Sequence, residues 1–187
     1  MLLKRSSLTI VQAVLFALIL REIRGKFGSN RLGGFWFIFE PFAHVVLMLI
    51  IFSLIRAPMI NGVPLILFLV NGIVPFLLFK NITLTGMQAV NANRGLFAYR
   101  QIQAFDMILA RAIVETSLMG LVYTLILACL WLWGGMSIEF NDPILWVSAI
   151  LIGLVFSFSL AIIFCVLISN LPERWLAWLR YFLYLSI

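Results

Sequence analysis

The sequence predicts an all-α membrane protein, a polytopic bundle of helices. Of its 187 residues, 64% are hydrophobic and only 11% are charged, and the mean hydropathy is +1.15. A soluble domain holds about 45–50% apolar residues. So few polar side chains cannot coat a water-facing globule, which excludes a disordered chain, a nucleic-acid-binding domain and an ordinary soluble enzyme. Four apolar runs are long enough for a helix to cross about 30 Å of hydrocarbon, and another begins near residue 175.

The first helix is predicted over residues 6–26 and is expected to lie in the cytoplasmic interface instead of crossing the membrane. Its apolar part, 8–20, is short and has basic residues on both sides. A spanning helix would not carry positive clusters at both ends, and in a cleaved signal peptide the apolar core would be followed by small residues. We expect its apolar side among acyl chains and its arginines among lipid phosphates. The candidate residues of this interfacial helix are Arg21, Arg24, Lys26 and Arg31.

Residues 1–187 are predicted to form a single membrane domain, in which charge sets the orientation of the spans. The spans are predicted over 35–55, 63–79, 107–133 and 144–169, with 175–187 as the start of a truncated fifth. All Lys and Arg residues except Arg56 fall before the first span, in the second connection and its border as far as Arg111, or in the fourth connection and its border as far as Arg180. The positive-inside rule therefore predicts a cytoplasmic N-terminus, and it explains the net charge of +6 without a nucleic-acid partner.

Two polar or small patterns interrupt the apolar spans. In the second span, Asn71 and Pro75 break the run, which fits either a packing kink or a permeation path. In the fourth span, small residues recur every four positions and allow another helix to approach closely. That pattern fits either a contact within the subunit or a seam between two copies. Its central members are Gly153, Ser157 and Ala161.

The first span carries ionisable residues at membrane depth. Glu40 and His44 are four residues apart and share a helical face, so we treat them as candidate gating or channel residues together with Trp36 and Phe39. An enzyme acting on lipids would have to use Glu40 and His44, but no metal-binding or nucleophile motif accompanies them.

Two further charges lie in the third span. Arg111 and Glu115 are also four residues apart, and we expect them to pair with each other within the helix, which lowers the cost of entering the bilayer.

The connection after the second span combines basic and aromatic residues. A plain cytoplasmic turn would not need this combination, which favours contact with another protein, with an interfacial loop on lipid headgroups as the alternative. The chain also lacks a phosphate-binding loop, so energy for transport would come from another subunit. The candidate contact residues are Arg94, Leu96, Phe97, Tyr99 and Arg100.

Two segments carry a family resemblance. The first is Leu32-Gly33-Gly34-Phe35-Trp36 followed by Glu40-Pro41 and His44. The second is the run from Asn93 to Gln101, with Asp106 and Ala110-Arg111-Ala112 after it. Together they resemble the capsular polysaccharide export permeases, the KpsM-type family of ABC-2 type transporters.

The resemblance implies a homodimeric permease that has six spans when complete and exports lipid-linked capsular polysaccharide across the bacterial inner membrane. It assigns a gate helix to 6–26 and a coupling helix to 91–103. It also implies a separate ATP-binding cassette ATPase that holds ATP and Mg, a periplasmic co-polymerase or export protein, and no cofactor on this chain. The alternatives are a permease for O-antigen or teichoic acid, an intramembrane enzyme on lipid substrates, and a membrane scaffold that transports nothing.

Overall fold

The computed structural model describes residues 7–27, 31–55, 59–60, 63–93, 95, 102–134 and 142–170, and this part of the chain is built from helices. Two short strands pair antiparallel between the second and third helices, with Ile60 opposite Val63. The all-α fold class is confirmed. The elements are α1 (Ser7–Phe27), α2 (Arg31–Ile55), β1 (Met59–Ile60), β2 (Val63–Pro64), α3 (Leu65–Met87), α4 (Ala89–Ala92), α5 (Ala104–Gly134) and α6 (Pro143–Asn170).

Three helices of the described part are long and apolar enough to cross a membrane, and α2 contributes a shorter apolar run, Phe42–Phe52. The three are Leu65–Met87, Ala104–Leu132 and Pro143–Asn170. Within the second predicted span, 63–79, β2 takes the first two residues, and the helix that begins at Leu65 continues past the span to Met87. The truncated span predicted over 175–187 lies outside the described residues.

Helix α3 lies at the centre of the bundle and packs against α6, α5 and α2. One hydrophobic core joins α2, α3 and α5 and contains the fully buried Val45, Val70 and Val122. A second core joins α1, α4, α5 and α6. Its buried members are Leu18, Ala89, Met107, Ile108, Ala110, Ala161 and Cys165.

The small residues of α6 lie against α3 of the same chain. A Cβ built on Gly86 of α3 would lie only 2.7 Å from the Cβ of Ala161, so the two helices touch there without intervening side chains. At the other end of the contact, the ring of Phe79 occupies the space that a side chain at Gly153 would need. Ser157, between them on α6, is 1% exposed. This arrangement is the close contact within the subunit, one of the two readings that the sequence left open.

We predict that Gly86→Ala destabilises the protein, because the new methyl group must separate α3 from α6. Overpacking of this kind costs about 1–3 kcal/mol. Gly72→Ala is the matched control, since it lies on the same helix and a Cβ there meets nothing within 4 Å. Thermal unfolding in detergent should show a lower midpoint for the first variant and an equal or higher one for the second. Equal midpoints for Gly86→Ala and the unaltered protein would contradict the close contact.

Candidate functional site: a charged joint between the N-terminal helix and the bundle

Two ion pairs connect α1 to α5, and we call their four residues, Glu22, Lys26, Arg111 and Glu115, the charged joint. The Nζ of Lys26 binds Oε1 of Glu115, and both side chains are largely buried, 13% and 4% exposed. The Nε of Arg111 lies 3.2 Å from Oε1 of Glu22. This second pair is at ion-pair distance, although the Nε–H does not form an aligned hydrogen bond. Burial strengthens such attractions because little water remains to screen them.

The expected pairing of Arg111 with Glu115 inside α5 is wrong. Each of these side chains instead pairs with an opposite charge on α1. The partners are also four residues apart, so advancing one turn along α1, from Glu22 to Lys26, advances one turn along α5. The two helices therefore run in the same sense at the joint. The chain itself carried the signal for this arrangement, namely the complementary spacings of Glu22 with Lys26 and of Arg111 with Glu115.

Arg111 also contacts the end of α3. Its Nη1 donates a hydrogen bond of 2.5 Å to the carbonyl oxygen of Thr85, in the last turn of that helix. The last carbonyls of a helix have no partner within the helix and carry partial negative charge, so a cation there is favourable. One guanidinium thus joins α5, the C-terminal end of α3 and, through Glu22, α1.

Helix α1 has one face on the bundle and one face outside it. Leu18, from the apolar stretch predicted to lie among acyl chains, is buried against the second core, and Lys26 is paired with Glu115. The prediction that the apolar side faces lipid is therefore wrong at Leu18, because the helix packs its inner face on protein. Arg21 and Arg24 are exposed on the outer face. The side chain of Arg31 lies outside the described residues.

The segment predicted to couple to an ATPase begins and ends next to this joint. At its start, α4 ends and the Asn93 side chain donates to the carbonyl of Ala89 at 2.9 Å. At its end, the backbone N–H of Gln103 donates to Oδ2 of Asp106 at 3.2 Å, a bond that fixes the first turn of α5. Ala89 and Met107 share the second core. The contact residues themselves lie outside the described residues: Arg94, Leu96, Phe97, Tyr99 and Arg100.

The candidate gating residues of the first span lie on α2, which is helical through this region. His44 is exposed, and Phe39 is 39% exposed. The side chains of Trp36 and Glu40 lie outside the described residues, so their predicted roles stay predictions.

Asn71 and Pro75 lie within α3, which continues as a helix past the proline. Asn71 is used in a contact between helices, since its Oδ1 accepts a hydrogen bond of 2.6 Å from the hydroxyl of Tyr123 on α5. The Tyr123 ring stacks on Trp146 of α6, with centroids 5.6 Å apart. This polar contact connects three helices and was not found from the sequence.

Within the described part of the chain, no three His, Cys, Asp or Glu side chains are grouped so that they could hold a metal ion. Cys129 and Cys165 are free thiols.

We predict that Lys26→Ala strongly destabilises the protein, because it leaves the Glu115 carboxylate buried without its partner. Breaking a buried pair in this way costs about 3–5 kcal/mol. The matched control is Arg24→Ala, which removes an exposed cation from the same helix and should change stability by less than about 0.5 kcal/mol. Unfolding of both variants in detergent measures the difference. Equal effects of the two substitutions would show that the Lys26–Glu115 pair contributes no net stability.

Comparison with known proteins identifies relatives across most of the chain. No family model matches it. The polysialic acid transport protein KpsM of Escherichia coli is 36% identical over 169 residues, 90% of this chain and 65% of the relative. The capsule polysaccharide export inner-membrane proteins CtrC of Neisseria meningitidis and BexB of Haemophilus influenzae are 25% and 26% identical and cover 88% and 86% of this chain. The chain spans 60–65% of the length of these three relatives. Over that portion, the chain is similar in sequence to the KpsM-type inner-membrane proteins, whose members are named for capsule polysaccharide export and polysialic acid transport.

Proposed function

We propose that this chain forms part of a permease that exports lipid-linked capsular polysaccharide across the bacterial inner membrane. Its relatives are named for capsule polysaccharide export and polysialic acid transport, and its described part contains three helices able to cross a membrane. The chain itself supplies helices and a docking segment, and a separate ATPase binds ATP and Mg and performs the hydrolysis. We propose no catalytic role for Glu40 or His44.

The observation that carries this proposal is the packing of the described residues on either side of the segment between α4 and α5. Its two ends are held together, since Ala89 before it and Met107 after it lie in one buried core that also contains Leu18 of α1. A segment with both ends fixed at one place on the bundle can receive force from a docked partner without unfolding the residues that attach it to the bundle. We therefore propose that residues 91–103 are the coupling helix and that α1 beside them is the gate helix.

The remaining partners follow from the size of the cargo. A polymer longer than the membrane is thick needs a continuous path, because it cannot be enclosed in an alternating cavity. We propose that two copies of the full-length protein form this path and that a periplasmic export protein receives the polymer. In this arrangement the N-terminus and the coupling helix face the cytoplasm, as the distribution of basic residues predicts.

We predict that Arg100→Glu in the full-length protein weakens binding of the ATPase, because the reversal places a carboxylate in the proposed docking surface. The measurement is the amount of ATPase that co-purifies from membranes. Arg174→Glu is the control, since it makes the same charge change in a different predicted cytoplasmic connection. An undiminished yield of ATPase with Arg100→Glu would remove the assignment of the coupling helix.

The proposed orientation predicts a labelling pattern in intact cells. After Cys129 and Cys165 are replaced by alanine, a cysteine at Ser137 should react with an impermeant thiol reagent from outside the inner membrane, and a cysteine at Asn93 should react only after the membrane is opened. The opposite pattern would show that the positive-inside assignment is inverted.

A further inference from the structure

The charged joint contains more charge than is needed to hold α1 against α5. Apolar contacts between the two helices already exist, since Leu18 is buried in a core with Met107 and Ile108 of α5. Burying ion pairs is costly, and apolar residues of similar size are often at least as stabilising at such positions. Four buried or half-buried charges at one contact therefore suggest that the joint has a role other than adhesion.

The connections of Arg111 indicate what that role is. Its guanidinium donates to the carbonyl of Thr85 and lies beside the Glu22 carboxylate, so it connects the end of α3 to α1. The end of α3 leads directly into α4 and the proposed coupling helix, and the N–H of Gln88 bonds to the Thr85 carbonyl as well. A displacement of this end of α3 would be carried to α1 through a single planar, fork-shaped group, which has a preorganised geometry that lysine lacks.

The second pair limits how α1 can respond. Lys26 and Glu115 lie one turn further along both helices, so α1 is held at two points and not at one. A helix held at one point can rotate freely about it, whereas a helix held at two points follows the motion of its support. Arg21 and Arg24, on the outer face of α1, remain exposed while the inner face is held.

We propose that Arg111 is a positioning residue that transmits movement of the coupling helix to α1, with Lys26–Glu115 as the second point of attachment. This inference rests on the proposed function, because it requires an ATPase that moves the coupling helix. It assigns to Glu22, Lys26, Arg111 and Glu115 a role in the transmission of movement.

The test uses the full-length protein with its ATPase in liposomes, with Cys129 and Cys165 replaced by alanine. An environment-sensitive fluorophore is attached to a cysteine at Ala17, exposed on α1, or at Ala92, exposed at the start of the proposed coupling helix. Addition of ATP and Mg should change the emission at both positions in the unaltered protein. With Arg111→Gln, the change at Ala92 should persist while the change at Ala17 is lost, and less polysaccharide should be exported per ATP hydrolysed.

Two charge exchanges separate transmission from simple adhesion. The exchange Lys26→Glu with Glu115→Lys, made in the protein with Arg111 unchanged, keeps an ion pair and should keep the response at Ala17. The exchange Glu22→Arg with Arg111→Glu also keeps an ion pair between α1 and α5, but a carboxylate at position 111 cannot donate to the Thr85 carbonyl. The response at Ala17 should therefore be lost, as it is with Arg111→Gln. If the second exchange keeps the response as fully as the first, the hydrogen bond from position 111 to α3 has no role and the proposal is wrong.

The controls distinguish the two ways in which the experiment can fail. Arg24→Gln removes the same charge and fork from the exposed face of α1 and should keep both responses. If Arg111→Gln does not fold, Glu22→Gln, which leaves the bond from Arg111 to α3 intact, should also abolish the response at Ala17. A full response at Ala17 in either joint variant overturns the transmission role alone. Absence of ATPase from the purified unaltered protein overturns the proposed function, and the transmission role with it.

Discussion

The pairing of charges between α1 and α5 is the constraint on which the arrangement of this protein depends. A carboxylate buried among apolar helices is costly unless a cation meets it, and Glu115 has that cation on α1. Because the partner belongs to another helix, neutralising the charge also fixes where that helix lies. The same holds for Arg111 and Glu22, so two separate electrostatic requirements place α1 along α5 in one register.

The rest of the bundle is organised around α3 by the opposite kind of contact. Where α6 presents Ala161, a methyl group on Gly86 of α3 would have no room, and where it presents Gly153 the ring of Phe79 fills the space beside the glycine. Association of helices in lipid gains little from the hydrophobic effect, so close backbone approach and van der Waals contact supply most of the attraction. The polar contact between Asn71 and Tyr123 adds a fixed point between α3 and α5 on the other side.

The two kinds of contact, close apolar packing and charge pairs, are suited to different roles in the protein. Smooth, close packing of α3 on α6 is suited to a body that keeps its shape, and directional charge pairs are suited to a connection that carries movement. The segment proposed to meet an ATPase starts and ends where both kinds of contact converge, since Ala89, Met107 and Ala161 share one core with Leu18 of α1. In the proposed assembly, work done by the ATPase enters the bundle at this place.

The sequence determined the helices of this protein. A bilayer requires long uninterrupted helices, and such helices need long apolar runs, which are visible in the sequence. It predicted α1, α5 and α6 within a few residues and the small-residue face of α6. It did not determine the partners of Arg111 and Glu115. A spacing of four residues places two charges on one face of a helix, and that geometry serves a pair within the helix as well as two pairs to a neighbour. Only the packing of Leu18 into the core brought Glu22 and Lys26 within reach. Only the tertiary structure could decide between a pair within α5 and two pairs to a neighbouring helix. The decision depends on which distant segment packs beside these charges and excludes water from them.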